Sequence, residues 1–103
     1  MKAVEDMPTV YLFVGRKSEA MLCSEFIPVI GQSLDVFVPM EIRTFRSLFQ
    51  YLMELSSQKP FNLVIDEFQE FYNINESVYS DMQNIWDTYR KKSKMNLIVS
   101  GSV

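Results

Sequence analysis

The sequence contains no histidine and a single cysteine, and these absences exclude several kinds of site. Without imidazole the chain can form no histidine metal site and no Ser–His or Cys–His nucleophile pair. Cys23 alone can close no intramolecular disulfide and build no zinc cluster, which is typical of a reducing compartment. We therefore expect a cytoplasmic protein whose chemistry rests on other side chains.

Long apolar runs and a surplus of positive charge are also missing. No run approaches the roughly 18 residues of a membrane span, and the charged N-terminus lacks the apolar centre of a secretion signal. Ten basic and thirteen acidic side chains give a net charge of −3, which argues against a protein that binds nucleic-acid phosphates. The basic residues at 90–94 are typical of the carbonyl end of a helix, and contact of this cluster with nucleic acid or a partner stays open. We expect no membrane association; nucleic-acid binding is possible for the parent protein but is not indicated in this chain.

What the 103 residues do contain is enough apolar material for one core, with 48% hydrophobic residues in alternating runs and amphipathic stretches. Four short apolar runs predict β-strands, at residues 10–14, 35–38, 61–65 and 95–99. The first run is continuous, which indicates a strand buried on both faces of a sheet. The second is weaker and is compatible with an excursion outside the main sheet.

Three amphipathic stretches between these runs predict helices. The first covers residues 17–30, with a kink expected at Pro28 and a stop at Gly31. Thr44 and Asn75 are the expected N-caps of the second and third helices. The apolar positions repeat at three and four residues in both: Phe45, Leu48, Phe49, Leu52 and Leu55, then Val78, Met82, Ile85, Trp86 and Tyr89.

The resulting order, β-α-β-α-β-α-β, predicts an α/β fold with a mostly parallel sheet and helices on its faces. Right-handed crossovers place the carboxyl ends of such strands along one edge, where open α/β sheets bind ligands. Three segments rich in polar groups follow strands and should meet there: residues 15–17, 66–67 and 100–102.

The string Leu-Val-Ile-Asp-Glu at residues 63–67 carries the clearest chemical signal. The apolar residues are expected to lie in the sheet, so that Asp66 emerges at its carboxyl edge beside Glu67. One carboxylate there can orient Mg²⁺ or its bound water, and the other can polarise an attacking water. This pattern is the Walker B arrangement of P-loop ATPases.

The residues around this string resemble a particular family. The segment Phe-Asn-Leu-Val-Ile-Asp-Glu-Phe-Gln-Glu-Phe at 61–71 is similar to the Walker B segment of archaeal and bacterial AAA-type ATPases, often called archaeal-type ATPases or ATP-binding proteins. The resemblance extends through residues 80–87 to 97–102, and residues 11–20 resemble the family's second core strand and following helix. It covers nearly the whole chain from about residue 10.

This resemblance implies roles for four residues and two cofactors. Asp66 matches the acid that helps to hold Mg²⁺, and Glu67 matches the acid that activates water for attack on the γ-phosphate of ATP. Ser100 and Ser102 lie in the sensor-1 segment, which reads the γ-phosphate or the water. We favour Ser102 slightly, and the spacing leaves both open.

The chain departs from the family in lacking a phosphate-binding loop. Its three glycines, Gly15, Gly31 and Gly101, lie far apart, whereas a P-loop needs a Gly-rich turn ending in Gly-Lys-Ser or Gly-Lys-Thr. Residues 1–103 thus match part of an AAA-type core, without the P-loop strand and the C-terminal lid. Mg²⁺ and ATP are expected in the parent protein, whereas this chain alone should bind no cofactor and be inactive. Without the P-loop strand, residues 95–99 form an open apolar edge, through which we expect self-association.

Two alternatives remain open. The chain is also compatible with a standalone α/β interaction module or a degenerate ATPase remnant, in which Asp66 and Glu67 are vestigial surface acids. A phosphoacceptor domain of the response-regulator type, with Asp66 at a strand end, is less favoured because its other acids, threonine and lysine are not suitably placed.

Overall fold

Three parallel strands form the sheet in the computed structural model, which describes residues 7–101. They are β1 (Thr9–Phe13), β2 (Phe61–Asp66) and β3 (Met95–Val99). β2 lies in the centre and pairs in parallel with β1 on one side and β3 on the other. The strands predicted at 10–14, 61–65 and 95–99 are therefore confirmed to within one residue.

The helices connect these strands. The structure has α1 (Glu19–Leu34), α2 (Phe45–Ser56), a 3₁₀ turn (Phe68–Glu70), the short α3 (Phe71–Ile74) and α4 (Ser77–Tyr89). α1 packs against β1, and α2 packs against α4. The turn and α3 were not predicted; they fill the connection from β2 to α4.

The strand predicted at residues 35–38 is wrong, because α1 continues past Gly31 to Leu34. Ile30 and Leu34 are both buried, so the apolar stripe of α1 runs one turn further than expected and outweighs the poor helix propensity of glycine. The helix ends at Asp35, which has a left-handed φ of 54°. Residues 36–38 then lie against the helices without a partner strand.

α2 begins as predicted. The Thr44 hydroxyl accepts a hydrogen bond from the Ser47 amide at 3.2 Å, which satisfies one of the free amides of the first turn. Asn75, the predicted cap of the last long helix, lies two residues before α4 begins. Its side-chain oxygen accepts from the Ser77 amide at 3.2 Å. Asn75 thus supports the start of α4 from outside the helix.

The two faces of the sheet differ, which corrects the prediction of helices on both. Val10 and Leu12 are buried under the helices, whereas Tyr11 and Phe13, on the other face of β1, are 50% and 53% exposed. β1 is therefore not buried on both faces, because the helices within residues 7–101 cover only one of them. Ile98 of β3 is exposed on the same side as Tyr11. We call this side of the sheet the open face.

Candidate functional site

The structure brings Asp66, Glu67 and Ser100 together at the carboxyl edge of the sheet. Asp66 is the last residue of β2, and Ser100 directly follows β3. The Ser100 hydroxyl donates to Asp66 Oδ1 at 3.0 Å. This is the arrangement expected from parallel strands that end at one edge. Ser102, the other serine predicted for the site, lies outside the described residues.

Backbone hydrogen bonds just beyond the ends of the strands fix the positions of these residues relative to one another. The Val14 amide donates to the Asp66 carbonyl, and the Ser100 amide donates to the Ile65 carbonyl, both at 3.0 Å. The Phe68 amide in turn donates to the Ser100 carbonyl at 3.0 Å. The segments that follow all three strands are thereby hydrogen-bonded to one another, either directly or through β2.

Both carboxylate oxygens of Asp66 accept hydrogen bonds. The Tyr11 hydroxyl donates to Oδ2 from β1, and Oδ1 accepts from Ser100 and, at 2.8 Å, from the Glu67 amide. The hydrogen bond from Tyr11, followed by that from Ser100, holds the pKa of Asp66 below its ordinary value. Asp66 is therefore ionised at neutral pH.

Glu67 turns the chain away from the sheet. Its backbone is left-handed, with φ 56° and ψ 40°, a conformation that costs energy for a residue other than glycine. Its side chain is half-buried and accepts a hydrogen bond from Gln69 Nε2 at 2.5 Å. The second acid of the predicted pair is thus held in a defined position beside Asp66.

The loop after β1 carries the basic residues predicted at this edge. It borders an open cleft of about 700 Å³ lined by Arg16, Lys17, Ser18, Glu19, Glu70, Asn73 and Ile74. Arg16 Nε lies 3.4 Å from Glu70 Oε1, and Lys17 pairs with Glu25. Ser18 caps α1 by accepting from the Met21 amide at 3.2 Å. These residues therefore form a capped loop whose cations are paired with carboxylates, and not a phosphate cradle.

The donor set at the edge fits magnesium only in part. Carboxylate and hydroxyl oxygens are suitable ligands for Mg²⁺. Within residues 7–101, however, no group of three or more acidic, histidine or cysteine side chains is arranged to hold a metal ion. Asp66 already accepts three hydrogen bonds, so about one of the four lone-pair sites of its carboxylate is left for a cation or for its bound water. The chain supplies part of a magnesium shell at most.

Sequence reasoning missed two residues that orient the acidic pair, Tyr11 and Gln69. Tyr11 has the one polar group in the apolar run at 10–14. It pairs in register with Val64, so it lies on the same face as Asp66, two residues further along β2. The alternation of side chains along a strand places Tyr11 and Phe13 on the same face of β1. Only the strand order shows that β1 and β2 are neighbours, so that Tyr11 can reach Asp66.

Replacing Tyr11 with phenylalanine is expected to raise the pKa of Asp66 towards its ordinary value, because it removes the hydrogen bond that lowers that pKa most. Ser100→Ala should raise it by less. The same hydrogen bond also affects Tyr11. It is the largest cause of the raised pKa of the Tyr11 hydroxyl. Stability from this pair is lost as pH falls through the folded pKa of Asp66, or rises through that of Tyr11.

Carbon-13 NMR titration of the Asp66 carboxyl group measures these shifts. Tyr51→Phe is the matched control, since the Tyr51 hydroxyl donates to the Phe37 carbonyl and not to Asp66. An Asp66 titration curve that does not change in Tyr11→Phe would show that the cross-strand hydrogen bond does not form in solution.

Cys23 lies outside this site. It is buried in the core, and burial, followed by the nearby charge of Glu19, raises the pKa of its thiol to about 11. A thiol with this pKa is almost entirely protonated at neutral pH and is a poor nucleophile. The structure thus agrees with the interpretation of Cys23 as a core residue.

Comparisons with known proteins identify no family. No known protein-family model matches the chain. Over 55 residues it is 36% identical to the uncharacterized protein MJ0424 of Methanocaldococcus jannaschii, a match that covers 53% of this chain and 53% of that protein. The match thus spans about half of the relative's length. Among the described residues, no helix is long and apolar enough to cross a membrane.

Proposed function

We propose that this chain is the Walker B and sensor-1 part of an AAA-type ATPase core. The observation that supports this most strongly is the convergence of Asp66, Glu67 and Ser100 at the carboxyl edge of the central parallel strand. Ligands of open parallel sheets bind at that edge. The proposal accounts for an acidic pair at the edge of the sheet where such ligands bind.

Under this proposal each residue has a separate task. Asp66, whose carboxylate accepts hydrogen bonds from Tyr11 and Ser100, would help to hold Mg²⁺ directly or through its bound water. Glu67 accepts a proton at its carboxylate from the water that attacks the γ-phosphate. Ser100 or Ser102 senses that phosphate. Bound Mg²⁺ would supply neutralisation of the charge on the transferred phosphoryl group.

The rest of the catalytic core would come from outside residues 1–103. Within residues 7–101, β3 has no partner strand on one side and no helix covers the open face of the sheet. A strand that carries the phosphate-binding loop, placed beside β3, would occupy that edge. Mg²⁺ and ATP are cofactors of this larger assembly, and the chain alone is expected to be inactive.

ATP hydrolysis tests this proposal. It should be measured for this chain and for the product of the longest genomic reading frame that contains it, each with a Glu67→Gln variant. We expect turnover only from a longer product with a Gly-rich loop, and loss of that turnover in Glu67→Gln. Hydrolysis that persists in Glu67→Gln, or a reading frame without any such loop, would contradict the proposal.

The second candidate function is a small protein-interaction module, and the open face favours it. Tyr11, Phe13 and Ile98 are large apolar side chains on this face that are 49–53% exposed. Contiguous exposed apolar surface of this kind is typical of interaction sites. In that case Asp66 is only a cross-strand anchor, and Glu67→Gln should leave every activity of the protein unchanged.

Both candidates predict that the isolated chain self-associates through the free edge of β3. Unpaired strand edges are templates for pairing with another chain. Ile98→Lys should shift the chain towards monomer, because a charge on an edge strand opposes such pairing. Met21→Lys is the control, since Met21 is 55% exposed on α1, away from that edge. Light scattering at micromolar concentration measures this, and a monomeric unmodified chain would refute the prediction.

A further inference from the structure

Gln69 lies between Glu67 and Gly101 and contacts both. Its Nε2 donates to Glu67 Oε1 at 2.5 Å. Its Oε1 packs against the backbone of Gly101 so closely that a Cβ at residue 101 would lie 1.9 Å from it. Residue 101 must therefore be glycine for the amide of Gln69 to occupy this place.

The orientation of the Gln69 amide follows from the charge of Glu67. A carboxylate only accepts hydrogen bonds, so the amide nitrogen must face Glu67 and the amide oxygen must face Gly101. This leaves Gln69 Oε1 buried and without a hydrogen-bond donor among the described residues. An unsatisfied buried oxygen lowers stability. In this structure it accompanies the hydrogen bond from the amide nitrogen of Gln69 to Glu67.

A second unfavourable feature lies at the same place, namely the left-handed backbone of Glu67. Strained backbone and unsatisfied polar groups in folded proteins concentrate at functional sites. Both features bear on the position of the same side chain. The backbone conformation of Glu67 sets the direction of its side chain, and Gln69 donates a hydrogen bond to its carboxylate.

We propose that Gln69 is a positioning residue of Glu67 and that Gly101 leaves the space that the Gln69 amide occupies. A catalytic role for this positioning rests on the proposed function, whereas the positioning of Glu67 by Gln69 does not. The Phe68 amide also binds the Ser100 carbonyl, so residues 67–69 are joined to the segment after β3 by two separate contacts.

The test compares Gly101→Ala with Gly15→Ala. A Cβ at residue 101 displaces the flexible end of Gln69, whereas a Cβ at residue 15 meets only Lys17 Cε, at an ordinary 3.7 Å. NMR provides two readouts, the side-chain amide protons of Gln69 and the χ1 couplings of Glu67. We expect Gln69 amide shifts unlike those of the exposed Gln83, and a single χ1 rotamer of Glu67, in the unmodified chain.

In Gly101→Ala the Gln69 shifts should become those of Gln83, and the χ1 couplings of Glu67 should become averaged. Gly15→Ala should change neither. Gln69→Met keeps the length of the side chain but removes its hydrogen-bond donor, so the χ1 couplings of Glu67 should become averaged in this variant too. It provides the test if Gly101→Ala fails to fold. The inference is overturned if Glu67 keeps one rotamer in Gln69→Met. The proposed function fails on a separate readout, namely if Mn²⁺ causes no selective broadening of the resonances around Asp66.

Discussion

Replacement of Phe45 with alanine is expected to lower the free energy of unfolding by about 3–5 kcal/mol, the usual cost of removing a buried phenylalanine. Phe45 is 1% exposed and lies at the centre of an aromatic cluster. Its ring centroid lies 4.6 Å from that of Phe71 and 6.1 Å from that of Phe49. Phe26 packs on it edge-to-face at 6.3 Å. The cluster joins α1, α2 and α3, so the cavity left by alanine would loosen three helices at once.

Urea denaturation followed by circular dichroism measures this loss. Phe37→Ala is the matched control, because Phe37 is 83% exposed and its truncation should change stability by no more than about 0.5 kcal/mol. Equal losses in the two variants would show that the aromatic cluster does not form the centre of the core.

Replacement of Glu19 with alanine is expected to cost about 1.5–3 kcal/mol, the range for hydrogen bonds to a charged group. Glu19 begins α1, but its carboxylate connects two other elements. Oε2 accepts from the Phe45 amide, the first of α2, at 2.6 Å, and Oε1 accepts from Asn75 Nδ2 at 3.0 Å. Its removal leaves the first amide of α2 without this acceptor and releases the start of α4.

Glu25→Ala is the control for Glu19, since it lies on the same helix and makes only an exposed ion pair with Lys17. Exposed pairs of this kind contribute about 0–1 kcal/mol. Thermal or urea unfolding of both variants makes the comparison. A loss in Glu19→Ala no greater than in Glu25→Ala would show that Glu19 is merely a solvated charge.

The elements that the sequence predicts correctly are those with a strong local signal. The apolar runs of β2 and β3 and the 3.6-residue periodicity behind Thr44 identify three elements with their approximate bounds. In these segments, propensity, capping and burial favour the same structure. The position of Asp66 and Ser100 at one edge then follows from the topology of parallel strands.

The errors arise where tertiary packing decides. Residues 35–38 have the composition of a strand, but α1 uses Leu34 to extend its buried face and leaves them no partner. Likewise, a continuous apolar run cannot reveal that Tyr11 and Phe13 lie on a face without helices. The contacts of Tyr11 with Asp66 and of Gln69 with Gly101 are between residues distant in sequence. No local pattern predicts such contacts.

Mn²⁺-induced line broadening in the amide NMR spectrum tests the central claim, a magnesium-handling acid at Asp66, most directly. Mn²⁺ prefers the oxygen ligands that Mg²⁺ prefers, and its paramagnetism reveals transient contacts that are too weak to make it a bound cofactor of this chain. We expect resonances of residues 66–68 and 100–101 to broaden first, and this selectivity to be lost in Asp66→Asn but kept in Asp87→Asn, which alters an exposed acid on α4. Broadening spread over the exposed acids, or unchanged in Asp66→Asn, would contradict the account.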